Sequence, residues 1–180
     1  MIIWRDNNFN KSNPNNYDDF DEMLKFNEEI KNFAYREINS KIYYVNSTEE
    51  GLGLIDRKKY NKIIIITNGG NNGEEFINES RKILGANSIA LVSCYIPKRH
   101  LNWIIKLPNT FIGNEMDYIK EFLLYSIKED KDKMLELKNR NEEKYKVKFE
   151  KFNKDELFKF PHFLKEGYYD LLSFNPKYNK

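Results

Sequence analysis

The residues best suited to chemistry lie where apolar runs stop abruptly. MIIW ends on Arg5, Asp6 and Asn7, and KIIII ends on Thr67, Asn68, Gly69 and Gly70, with Gly73, Glu74 and Glu75 just beyond. Successive glycines can take positive φ and let backbone N–H groups converge on an anion at a helix start. The burst lacks the lysine of a phosphate-binding loop, and its glycines miss the dinucleotide spacing. Glu74 and Glu75 would repel a phosphate, while suiting the positive end of a helix dipole. A turn by which a strand becomes a helix is therefore the plainer reading, and an anion cradle the sharper one.

Other single residues carry less. Glu79 stands twelve residues beyond Thr67, on the expected helix, and reads first as a solvated side chain. Ser93 and Cys94 fall near the end of another apolar run. Cys94 could be a reactive thiol, but a strand cysteine without a partner histidine close in sequence is usually a small buried hydrophobe. His100 and His162 have no partners at ligand spacing, so no metal site is expected. No Gly-x-Ser-x-Gly nucleophile motif occurs.

These residues need elements to position them. Ile2–Trp4, KIYYV (41–45), KIIIIT (62–67), SIALVSCYI (88–96) and TFIG (110–113) read as five strands. The unbroken β-branched run of the third implies burial on both faces, as at the centre of a parallel sheet. Between them lie helical patterns: one from Phe20 to Ala34 with Asp19 and Glu22 as a capping box, and one opened by Ser47 and Glu50. A third runs from Phe76 to Leu84 and ends at Gly85, and a short one spans Pro97 to Pro108. A last one runs from Met116 to Ile127. Five strand–helix units in succession imply right-handed crossovers and helices on both faces. The expected fold is an α/β doubly wound, five-stranded parallel sheet of flavodoxin-like order 2-1-3-4-5, spanning residues 1–127. Ligands on such sheets bind at the carboxyl ends of the strands beside the switch point, here between the first and third strands. Asp6, Asn7, Thr67, Asn68, Gly69, Gly70, Gly73 and Ser93 are the ligand-binding candidates.

Residues 128–180 form a charged helical extension, read as solvated, followed by an aromatic-rich tail. Phe158, Phe160, Phe163, Tyr168 and Tyr169 are candidates for packing on the body, docking a protein partner or pairing two copies. The connection after the first strand is long for its type and holds Asn7, Asn8 and Asn10, either as a lid or as a tolerant surface loop.

Thirty Lys plus Arg against 28 Asp plus Glu leave a net charge of +2, too balanced to attract nucleic acid or an acidic membrane surface. The single cysteine rules out an internal disulfide and suits a reducing compartment. No apolar run approaches the roughly 20 residues of a membrane span, and a charge within five residues of the start argues against a secretory signal. A soluble, cytoplasmic protein is expected.

The order of elements, with Asp6 closing the first strand, resembles the receiver domains of response regulators. That resemblance implies an acidic pair after the first strand, a phosphoacceptor aspartate ending the third, a Ser or Thr ending the fourth and a lysine after the fifth. Here Arg5 and Asn7 flank a single acid, Thr67 and Asn68 stand at the acceptor position, Ser93 matches, and GNEMD lacks the lysine. The chain looks more like the degenerate receiver-like domains of large signalling proteins, with their apolar-Trp first strand (IIW) and Gly turn after an Ile-rich third strand (IIIITNGG). This implies a non-catalytic interaction module, without a cofactor. It is also similar to Toll/interleukin-receptor-like domains. Enzymatic members of that group cleave NAD with a glutamate on the helix after the third strand, which would make Glu79, or Asp6, the reactive carboxylate and NAD or another nucleotide the ligand. The Trp-Cys pair that often precedes that glutamate is replaced by Phe76 and Ile77.

Overall fold

A computed structural model of the chain describes residues 1–6, 17–57, 62–70, 72–94 and 99–159. Asn7, Asn8, Asn10, Pro97, Phe160, His162, Phe163, Tyr168 and Tyr169 lie outside the described residues. The strands are β1 (Ile2–Arg5), β2 (Ile42–Val45), β3 (Ile64–Asn68), β4 (Ala90–Ser93) and β5 (Thr110–Ile112). They form one sheet in the order β2-β1-β3-β4-β5, and every pairing is parallel. This is the flavodoxin-like arrangement expected from the alternating pattern.

Parallel neighbours need crossovers, and helices supply them. These are α1 (Tyr17–Ile38), α2 (Thr48–Arg57), α3 (Gly73–Leu84), α4 (Leu101–Ile104) and α5 (Met116–Lys128). Side chains alternate along each strand, so the sheet buries two separate apolar layers. Ile2, Trp4, Ile64, Ile66, Leu91 and Phe111 pack against α1 and α5. Ile3, Ile63, Ile65, Ala90, Val92 and Ile112 pack against α2, α3 and α4. The four isoleucines Ile63–Ile66 are all buried, because β3 is central and both its faces are covered.

Local signals explain the element ends. The Ser47 hydroxyl accepts from the Glu50 N–H at 3.1 Å, and the Glu50 carboxylate accepts from the Asn46 N–H at 2.9 Å, a capping box displaced by one residue on its return arm. Gly85 takes a φ of 100° and its N–H bonds the Arg81 carbonyl, ending α3 as a C-cap glycine does. The Asp19–Glu22 box does not form the start of α1, since that helix already begins at Tyr17 and Asp19 falls inside its first turn.

The charged segment is more than a solvated extension. It forms α6 (Lys131–Tyr145), capped by the Asp130 side chain, which accepts from the Lys133 N–H at 3.0 Å. Met134 and Leu137 are fully buried in the layer of α1 and α5. Asn141 is buried too, and its side chain treats β5 as a neighbouring strand would. Its Oδ1 accepts from the Ile112 N–H at 3.0 Å and its Nδ2 donates to the Ile112 carbonyl at 2.8 Å. The amide thus closes an outer edge of the sheet whose backbone groups would otherwise be unpaired. Further along, Leu157 and Phe158 enter the same core, and the Lys62 ammonium lies 5.6 Å above the Phe158 ring while donating to the Ile127 carbonyl.

Candidate functional site

Register brings the carboxyl ends of β1, β3 and β4 to one level. Arg5 is paired with Thr67, and Asn68 with Ser93. Asn68 lies between two residues that close the first strand. Its Oδ1 accepts from Arg5 Nη1 at 3.0 Å, and its Nδ2 donates to Asp6 Oδ1 at 2.8 Å. Arg5 is almost completely buried beneath this network. Burial pulls its guanidinium below the ordinary pKa, and Asp6, Glu75 and Glu49 oppose that in part.

Above the strand ends lies a crevice of about 440 Å³, in the size range of small-molecule sites. Asp6, Asn68, Gly69, Gly70 and Ser93 line it, as the switch-point argument expects. Thr67 does not, being fully buried with its hydroxyl donating to the Asn68 carbonyl at 3.1 Å. Gly73 begins α3 and is buried away from the crevice. Glu79 is not among the lining residues either, and pairs with Lys82 on its own helix. Phe158, a partner-docking candidate, is only 9% exposed and committed to the chain's own core. Asn7 and the remaining aromatic tail candidates, Phe160, Phe163, Tyr168 and Tyr169, fall outside the described residues.

The three glycines of the burst do not take the left-handed conformations that favour an anion cradle. Gly69, Gly70 and Gly73 all keep φ out of the left-handed region. The Gly73 N–H turns inward to the Gly70 carbonyl at 2.9 Å. What two of these positions require is the missing side chain. A Cβ on Gly73 would meet the Asn68 carbonyl oxygen at 2.4 Å. One on Gly69 would meet His100 Cδ2 at 2.4 Å, His100 Nε2 at 2.8 Å and Cys94 Cβ at 2.9 Å. The turn is therefore built for close approach.

Several lining residues had no signal in the linear pattern. α1 brings Met23, Phe26 and Asn27, and the stretch before α4 brings Arg99 and His100. Asn114, two residues beyond β5, joins them. Trp4, legible only as a strand residue, lines the crevice too, edge-on to Phe26 with ring centroids 6.5 Å apart. Burial and the neighbouring Arg99 hold the His100 imidazole below its ordinary pKa. Cys94, a weak thiol candidate by sequence, lies on the crevice beside that histidine.

Among the described residues, no group of three or more His, Cys, Asp or Glu side chains converges to hold a metal ion, and no helix is long and apolar enough to cross a membrane. Comparison of the chain with protein-family models, with curated proteins and with solved structures returned no match.

Proposed function

We propose that the chain is a receiver-like module that binds a protein partner and carries out no phosphotransfer. The observation that supports this is the wiring of Asn68. A receiver of this topology would hold a reactive carboxylate at the end of β3, facing an acidic pair at the end of β1. Here the end of β3 carries an amide whose oxygen and nitrogen are both committed, to Arg5 and to Asp6. An amide has no charge to attract magnesium and no nucleophilic oxygen of carboxylate strength, and Arg5 places a buried cation where a metal ion would be repelled. Partner binding then falls to surfaces outside the crevice. On α1, Leu24 and Tyr35 are large apolar groups left exposed, Tyr35 at 73%.

A second reading is favoured by the crevice itself. Its aromatic and amide lining, from Trp4, Phe26, Asn27 and Asn114, suits a nucleotide base, and NAD or another nucleotide is the ligand class it would take. Asp6, which lines the crevice, is then a better reactive carboxylate than Glu79, which does not.

One set of measurements separates the two. The chain is incubated with acetyl phosphate and magnesium and weighed by intact mass spectrometry, then titrated with ATP and NAD while tryptophan fluorescence is followed. No phosphoryl adduct and no saturable fluorescence change is the expected outcome. An adduct on Asp6 would overturn the first reading. Saturable NAD binding with slow hydrolysis, abolished by Asp6→Ala and kept by Glu79→Ala, would replace it with the second.

A further inference from the structure

We propose that Cys94 and His100 form a thiol–imidazole pair that reacts with small disulfides admitted to the crevice, making Cys94 a site of reversible S-thiolation. Cys94 follows β4 and His100 precedes α4, and the two close on the same glycine. The point a Gly69 Cβ would occupy lies 2.9 Å from Cys94 Cβ and 2.8 Å from His100 Nε2. Both residues line the crevice of about 440 Å³, and Cys94, only 8% exposed and otherwise packed among apolar side chains, can meet a small disulfide only from that side. Trp4 lines it as well. Its side chain is almost wholly buried, and its indole N–H has no acceptor among the described residues. That N–H is enclosed in this structure, so a carbonyl of a bound peptide-like thiol would accept from it only once the ring turns toward the crevice.

The chemistry follows from the charges near the pair. His100, held below its ordinary pKa, is neutral near pH 7 and able to take a proton. Arg99 adds positive charge beside the imidazole. Titratable groups near the pair include Asp6, which also lines the crevice, and Tyr145 at the end of α6. The imidazole takes the Cys94 proton, and the sulfur attacks one sulfur of a disulfide R–S–S–R. The R–S–S–R bond breaks as the Cys94–S–S–R bond forms, and the departing R–S⁻ takes the proton from the imidazolium. One disulfide and one thiol are consumed, and one mixed disulfide and one thiol are produced, so no other oxidant is needed. With no second cysteine in the chain, the mixed disulfide cannot resolve internally and waits for an external thiol.

The test uses the full chain with glutathione disulfide as probe, followed by intact mass, alone and with added urea. Native protein is expected to gain one glutathione moiety, at least about tenfold faster at pH 7 than His100→Gln. Its rate–pH profile should inflect at lower pH than that of the variant. Should His100→Gln fail to fold, Arg99→Gln is expected to slow the reaction and raise the inflection in the same direction. Two results would overturn the pair. One is modification that rises only in proportion to the unfolded fraction. The other is an unchanged rate and pH profile in a folded variant.

Discussion

Asn68 is held at both ends of its amide, which makes its exchange for a carboxylate a sensitive probe of the strand-end network. Asn68→Asp keeps the size, gives up the bond to Asp6 and sets two carboxylates within reach of each other, against one buried arginine. Like charges so close raise the pKa of one of them. The folded state then holds a proton that the unfolded state has lost, so stability is lost as pH rises from the ordinary aspartate value of about 3.9 through the raised one. Relative to the native chain, the urea midpoint of the variant is expected to fall between pH 4 and pH 7, by about 1–3 kcal/mol of stability. Parallel pH profiles for the two proteins would mean that Arg5 neutralises the added charge. The candidates at this scale were legible because apolar runs end abruptly at Asp6 and Asn68. Their hydrogen bonds were not legible, since those depend on the register of strands about sixty residues apart. His100, Arg99 and Phe26 reach the crevice only through the placement of whole helices, and spacing along the chain carries no trace of that.

At the scale of elements, all five strands were legible in place and order, because β-branched runs such as Ile63–Ile66 permit little else, although the fourth, expected over 88–96, pairs only from Ala90 to Ser93. α6 was not. Its fifteen residues are mostly charged, and only three of its side chains are buried. The most informative of the three, Asn141, is polar and looks like the exposed asparagine two positions earlier. Its role is visible only against β5. Asn141→Ala would strip the Ile112 N–H and carbonyl of their partner and leave the Tyr118 hydroxyl, which donates to Asn141 at 2.8 Å, without its acceptor. The expected cost is about 2–4 kcal/mol, because buried polar groups would lose their hydrogen bonds. Asn139→Ala, on the exposed face, should stay within about 0.5 kcal/mol of the native chain. Equal urea midpoints for the two variants would show that the Asn141 amide is dispensable.

For the molecule as a whole, one thin sheet separates two apolar layers, and its two ends do different work. The carboxyl end is polar and opens into the crevice, while Arg81 ties the opposite end together. That guanidinium donates to the Ser88 and Pro108 carbonyls and to the Thr110 hydroxyl, and burial pulls its pKa down to about 10. The β5 edge is closed by a side chain on a helix, so α6 need only lift, without the sheet unfolding, to bare a strand edge. Such an edge is a template on which a second copy can add its own strand. Hydrogen exchange at the Ile112 amide should therefore run faster than at Ile65 and Ile66, which open only with the whole fold. In mild denaturant, aggregation should follow the Ile112 rate, and aggregation that tracked the global transition would assign it to the unfolded chain instead. The helix that reads as the most soluble part of the sequence would then be the part that keeps the protein from polymerising.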